Sequence, residues 1–258
     1  VQITSSYEEK NIMLLQPTID GMKQLKLFGM LKAFDSQQAL ADISALCFEE
    51  RFGMLIDAEL TSRENRRTQM RLKLAKLTHS ATIEELEPNR GLDRAEIAAL
   101  ATCEWLRRKH NIIITGPTGV GKSFLACALA NKACREGFTA HFDRAPRLFQ
   151  KLAIARADGR YAKVMETIAA KQLLVIDDFG LFALNEEQRQ DLLELVEDRY
   201  SHGSLVITTQ VPIEHWHEIV GDPTIADAVL DRVVHNAHKL HLKGESKRKE
   251  KAKDLQLV

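Results

Sequence analysis

Residues 112–123 read IIITGPTGVGKS, and Gly116–Ser123 within them has the form G-x-x-x-x-G-K-S. Each position of that pattern has a physical task. The glycines let the backbone curl so that successive N–H groups point inward at phosphate oxygens. A helix beginning at the lysine turns its positive end toward the same anion. Lys122 carries a compact charge to the outer phosphates, and Ser123 offers a hydroxyl to Mg2+. The flanks supply the required context. A β-branched run at 111–115 reads as a strand, and FLACALANKAC at 124–134 reads as an apolar-periodic helix. A nucleotide would be held by Gly116, Pro117, Thr118, Gly119, Val120, Gly121, Lys122, Ser123 and Phe124.

Downstream, residues 173–180 read LLVIDDFG. An apolar run ending in acids describes a buried strand with carboxylates at its C-terminal edge, where ligands sit in open α/β sheets. Asp177 suits Mg2+, held mostly through water. Asp178 is placed to orient or deprotonate an attacking water. A third apolar run, 205–209, ends in Thr208, Thr209 and Gln210. A polar side chain there can reach the terminal phosphate and the water.

Strands at 111–115, 138–142, 173–176 and 205–209 alternate with helices at 122–135, 146–157, 161–170, 185–201 and 225–234. That alternation predicts an α/β class with a parallel sheet between helices. Residues 93–109 read as one further helix. Upstream, 19–30 and 48–60 show apolar spacings of three and four, continued by Met70, Leu74 and Leu77. They predict a small all-α N-terminal domain. The expected organisation is an extension at 1–12, a helical domain at 13–78, a linker at 79–90 containing Pro88, a nucleotide-binding domain at 91–242 and a basic tail at 243–258.

The chain has 258 residues, 45% hydrophobic and 28% charged, so it can bury a sizeable core. These values exclude a wholly disordered chain and a small disulfide scaffold. No apolar run approaches the ~20 residues of a membrane span, and VQITSSYEEKN at the start lacks a secretory pattern. Four scattered cysteines without a CxxC pair fit a reducing cytoplasm. The histidines at 215 and 217, and at 235, 238 and 241, have no nearby cysteine or carboxylate pair, so no metal site is expected of them.

Lys plus Arg and Asp plus Glu are both 36, a formal charge of zero that argues against a uniformly basic nucleic-acid binder. Along the chain the balance breaks into blocks. Residues 61–79 hold six cations and one acid, 144–171 seven and two, and 239–253 seven and two, so each block carries +5. Residues 177–198 hold eight acids and one arginine. Three basic blocks favour contact with a phosphate backbone. No residue set is built for reading base edges, so little sequence specificity is expected.

GPTGVGKS, LLVIDDFG, LVITTQVP and AVLDRVVHNAH, in this order and spacing, resemble the AAA+ ATPases. The longer stretches GRYAKVMETIAAKQLLVIDDFG and VPIEHWHEIVGDPTIADAVLDRVVHNAHKLHLKGES are similar to the IstB-like transposition helper proteins of insertion sequences, relatives of the DnaC helicase loader. The resemblance runs from about Leu14 to about Lys253. It implies a P-loop AAA+ domain preceded by a small helical domain, with ATP and Mg2+ as cofactors. It implies Mg2+ at Ser123 and Asp177, a water-directing acid at Asp178 where many relatives have Glu, and a sensor at Gln210. It implies an arginine finger at Arg232 that completes a neighbouring subunit's site in a homo-oligomer, either a ring or a helix. Arg248 falls at a nucleotide-sensing position. The partners implied are duplex DNA and a transposase, with no membrane. In relatives an added helix near the second basic block lines the inside of the assembly, which assigns DNA contact to Arg144, Arg147, Lys151, Arg156, Arg160 and Lys163. In the first block the candidates are Arg63, Arg66, Arg67, Arg71 and Lys73. The resemblance thus implies an ATPase that assembles on DNA, recruits or activates a transposase, and disassembles on hydrolysis. A helicase loader, a small-molecule phosphotransferase and a slowly hydrolysing scaffold are the alternatives.

Overall fold

The computed structural model describes residues 15–40, 43, 45–88 and 91–246. The expected extension at 1–12 and the role expected of Arg248 lie outside the described residues, as does the tail beyond Ser246. Two compact units divide the chain between Met70 and Arg71.

The first unit is helical. Helix α1 covers 15–24, α2 is Phe28–Gln38, and α3, Phe48–Ala75, begins here and runs on into the second unit. The expected single helix at 19–30 is interrupted, because Lys26 takes a left-handed φ of 57°. That break frees the first amides of α2, and Glu59 of α3 caps them. One Glu59 oxygen accepts from the Gly29 and Met30 amides at 2.7 and 3.0 Å, and the other accepts from Arg63 Nε at 2.7 Å. Gly29 lies against Ala58 and Ser62, with no room for a Cβ. A glycine and an acid thirty residues apart therefore fix the α2–α3 pair.

The second unit opens with the last turn of α3 and a short 3-10 turn, Ile83–Glu85. Residues 79–88, the described part of the stretch expected as a linker, fall inside this unit. Ala81 and Ile83 are buried in its core. The Thr82 amide donates to Glu85 at 2.8 Å, and Arg135 pairs with Glu84 at 2.9 Å. A single short turn carries no periodicity, which is why the sequence pattern reads as a connection.

Helices α4, Arg94–Ala101, and α5, Glu104–Arg107, replace the one helix expected at 93–109; Cys103, at φ 55°, separates them. The remaining elements are β1 Asn111–Thr115, α6 Lys122–Arg135, β2 Ala140–Arg144, α7 Ala145–Ala157, α8 Tyr161–Ala169, β3 Leu173–Phe179, α9 Glu186–Arg199, β4 Ser204–Thr209, α10 Trp216–Val220, α11 Pro223–Val234 and β5 Ala237–His241. All strands pair in parallel in the order β2-β3-β4-β1-β5. Side chains alternate between two cores. Ile112, Ile114 and Val175 face a core with Leu125 and Leu129 of α6, whereas Ile113, Leu174 and Ile176 face one with Phe149, Leu192 and Trp216. Burial on both faces explains the near-continuous apolar runs in the central strands.

Two local features position the site. The C-terminal ends of β1, β3 and β4 share one sheet edge. Between Ile176 and Phe179 the β3–β4 register shifts, so that one extra residue sits on β3. This bulge carries the two acids, and Asp178 adopts φ 57° within it. A bulge re-aims side chains that a regular strand would point to opposite faces. At the other sheet end, Arg199 is fully buried and donates to the carbonyls of Ile168, Lys171 and Ser204. Burial pushes its pKa down to about 10, and no carboxylate is among the groups it binds. Among the described residues, no helix is long and apolar enough to cross a membrane.

Candidate functional site

The chain leaves β1 at Thr115 and enters a loop whose Gly116, Gly119 and Gly121 have φ of 146°, 83° and 109°. Those values favour glycine. Two of the glycines are also crowded: a Cβ on Gly116 would meet the Leu242 carbonyl, and one on Gly119 the Ser246 side chain. The segment after β5 therefore lies against the loop. Helix α6 starts at Lys122 directly behind it, so its free amides face the space the loop encircles.

Lys122 is buried and donates to the carbonyls of Gly116 and Pro117 at 2.8 and 2.9 Å. Burial lowers its pKa, opposed by the charges of Asp178 and Asp177. These carbonyls are neutral acceptors, so an incoming phosphate would offer the ammonium a stronger, charge-assisted partner.

Asp177 is buried, and one of its oxygens accepts from Ser123 Oγ at 2.8 Å and from Thr208 Oγ1 at 2.6 Å. Thr208 Oγ1 in turn accepts the Asp178 amide at 3.0 Å. A single hydroxyl from β4 thus links both bulge residues. The Asp178 carboxylate is gripped by Arg144, at the end of β2, with Nε at 2.9 Å and Nη2 at 2.6 Å. Gln210, just past β4, accepts from Thr118 Oγ1 of the loop at 2.7 Å. A cleft of about 460 Å3 is bounded by Thr118, Lys122, Ser123, Asp178, Gln210 and Arg144, with His79 and Phe124 at its apolar side. The His79 and Phe124 rings lie 6.5 Å apart.

The structure brings together the loop residues Gly116 to Phe124 with Asp177, Asp178 and Gln210. Arg232 is elsewhere. Its carbonyl accepts from Asn111 Nδ2 at 3.3 Å, and Asn111 begins β1 while the loop follows the strand's other end. Four residue steps at about 3.3 Å put roughly 13 Å of strand between them. The Arg232 side chain pairs with Glu197 at 3.0 Å and donates to the Ala228 carbonyl.

Three residues contribute to the cleft in ways the sequence reading does not assign. His79 sits in a segment read as a linker. Thr208 was noted only as a polar strand end, and its role is to hold Asp177. Arg144, expected at DNA, also holds Asp178. Its signal was available: a cation ending β2, the strand that pairs with β3 in register Arg144↔Asp177.

The other basic residues are placed as follows. Arg63 binds Glu59, Arg66 lies over the Phe28 ring, and Arg67 is 3.8 Å from Glu64. Arg71, already in the second unit, donates to the Cys134 carbonyl at 3.3 Å. Lys151 pairs with the buried Asp143 at 2.5 Å. Arg156 stacks on Tyr161 and pairs with the buried Asp191, and Arg160 pairs with Asp158. Lys73, Arg147 and Lys163 are exposed and make no ion pair among the described residues.

Comparison with known proteins adds the lineage. A family model described as IstB-like ATP binding protein matches residues 20–254. The insertion sequence ATP-binding protein y4pL of Sinorhizobium fredii is 48% identical over 239 residues, 92% of this chain and 98% of that protein. The IS21 ATP-binding protein of Pseudomonas aeruginosa is 32% identical over 235 residues, 90% of this chain and 89% of that one. Among solved structures, the DnaC helicase loader aligns with a TM-score of 0.56 at 20% identity, over 66% of this chain and all of that one. DnaA from Aquifex aeolicus bound to AMPPCP aligns at 0.55 and 19%, over 71% of this chain and 58% of that one. At such identities the structural likeness bears on the fold, and it agrees with the P-loop AAA+ architecture.

Proposed function

The chain belongs to the IstB-like ATP-binding protein family, and from that premise we propose that it is an ATPase that assists DNA transposition. It binds ATP and Mg2+, oligomerises on duplex DNA, recruits or activates a transposase, and leaves the DNA on hydrolysis. The observation that carries the reading is the convergence of Lys122, Ser123, Asp177, Asp178 and Gln210, from three strand ends, on one cleft.

The residues present fit Mg2+. Ser123 Oγ and Asp177 Oδ1 are 2.8 Å apart, both oxygen donors, one of them a buried carboxylate. These two would hold the ion, mostly through water. When bound, it would neutralise charge on the phosphate oxygens. Lys122, released from the two loop carbonyls, binds the outer phosphates. His79 and Phe124 face the base end of the cleft. Among the described residues Asp178 is the one carboxylate bounding the cleft outside the Ser123–Asp177 pair, and it accepts the proton of the attacking water once Arg144 lets go. Gln210, already bound to Thr118, holds the water or the terminal phosphate in line. Arg232 lies too far along β1 to serve its own chain, so it acts on a neighbouring copy's phosphate. Arg147, Lys163 and Lys73 are the cations most available to DNA phosphates.

Relatives named as insertion sequence proteins, at up to 48% identity over most of the chain, support this reading above a helicase loader. The test is duplex DNA binding measured by anisotropy with and without a non-hydrolysable ATP analogue, beside the Lys122→Ala variant. Nucleotide-dependent binding lost in the variant is expected. Equal DNA binding and assembly by the variant would refute the reading.

A further inference from the structure

Two ion pairs of the second unit have the same unusual status. Each ties up a residue to which the proposed mechanism gives another task. On the cleft, Arg144 binds Asp178 at 2.6 Å, although Asp178 must address water. On the far side, Glu197 binds Arg232 at 3.0 Å, although Arg232 must address a neighbour's phosphate. All four side chains are partly exposed: 46% and 21% in the first pair, 30% and 48% in the second.

If Arg232 enters the cleft of the next copy, Glu197 travels with it. A carboxylate would then arrive beside a triphosphate, Asp177 and Asp178. Uncompensated like charges at a few ångströms are costly, the more so where a neighbouring copy excludes water. Among the described residues bounding that cleft, the cations are Lys122, which the proposed mechanism commits to phosphate, and Arg144. Arg144 bounds the same cleft as Lys122 and Ser123, so a carboxylate brought in beside the phosphates comes within its reach.

We propose that the two pairs exchange on assembly, so that Arg144 of one copy binds Glu197 of the next. The occupant of the cleft's rim is thus a second copy of this chain, presenting the Glu197–Arg232 corner of α9 and α11. The exchange conserves charge pairing: each cation leaves one anion for another. It also releases Asp178 only in a subunit whose neighbour is in place, coupling hydrolysis to assembly. Each face has an exposed aromatic beside its ion pair. Phe182, 74% exposed, lies at the Asp178–Leu181 edge, and Tyr200, 52% exposed, lies with Arg232 around one small hollow. Rim aromatics are common anchors of protein interfaces.

The inference rests on Arg232 acting in trans, so the experiment separates the two. Full-length chains are assembled with Mg2+ and a non-hydrolysable ATP analogue, and turnover is measured in parallel with ATP. Arg144→Glu and Glu197→Arg should each weaken assembly by about tenfold or more, and the double charge swap should recover most of the loss. A second measurement avoids altering cleft charge in every copy. Arg144→Cys chains are mixed with Glu197→Cys chains, both carrying Cys47→Ser; the other cysteines are buried, and burial pushes the Cys134 thiol up to about 11. Oxidation should give a crosslinked dimer only in the mixture and only with nucleotide. Assembly without that crosslink, together with a swap no better than the worse single variant, overturns the exchange. If Arg232→Ala loses turnover in those same assays, the trans role survives and only the exchange falls. If Arg232→Ala turns over like the parent, both fall.

Discussion

At Thr208 one hydroxyl serves two neighbours, donating to Asp177 and accepting the Asp178 amide. Thr208→Val keeps the shape and removes the hydroxyl. It leaves a part-buried N–H unpaired, at a cost of about 1–3 kcal/mol. Phosphate release should fall by about tenfold or more, while nucleotide affinity without Mg2+ stays within about twofold. Unchanged turnover would mean the bulge does not depend on this contact. Asp178→Asn should separate the steps differently, with ATP affinity retained and turnover down about a hundredfold or more, read by fluorescent-nucleotide titration and phosphate release. Lys122→Ala should lose about 2–3 kcal/mol of nucleotide affinity in the same titration. The residue types at these positions were legible because phosphate and Mg2+ restrict them. Which atoms meet was not: polar side chains end many strands, and only the parallel register puts Thr208 against the bulge and Arg144 beside Asp177.

Among elements, strands β1 to β4 and most helices follow from periodicity, and the failures have local causes. Lys26 and Cys103 break helices through left-handed backbone that apolar spacing does not encode. β5 was missed because AHKLH buries only Leu240 deeply and pairs on one side, so it lacks the apolar run that marks the other strands. The α2–α3 contact through Glu59 was invisible because it joins a backbone end to a distant acid. Burial raises the Glu59 pKa, but the hydrogen bonds from Arg63, Met30 and Gly29 outweigh it and leave the value below that of an ordinary carboxylate. The folded state therefore favours the anion. Its stabilising contribution is complete above the ordinary carboxylate pKa and is lost as pH falls through the lowered one. Glu59→Gln should remove that acid-side loss and speed hydrogen exchange at the Gly29 and Met30 amides of the full chain at neutral pH. Exchange as slow as in the parent would contradict the capping role.

For the whole molecule, the charge total of zero conceals blocks that partly neutralise each other within the chain. Arg156 of the second basic block pairs with Asp191 and Glu187 of the acidic helix α9, and Tyr161 of the same block donates to Asp191 and Glu194. The cationic surface available to the proposed DNA contact is consequently narrower than the cation count suggests. Arg147→Ala and Lys163→Ala should each weaken duplex binding and reduce the salt slope by about one, without changing Tm. Arg156→Ala, which strips the buried Asp191 of its cation, should instead lower Tm. The central claim is that ATP assembles this chain on duplex DNA. Electron microscopy of the protein with long duplex DNA, with and without a non-hydrolysable ATP analogue, tests it most directly. Ordered, DNA-following assemblies only when both are present are the predicted result. The same assemblies without nucleotide, or formed equally by Lys122→Ala, would contradict it.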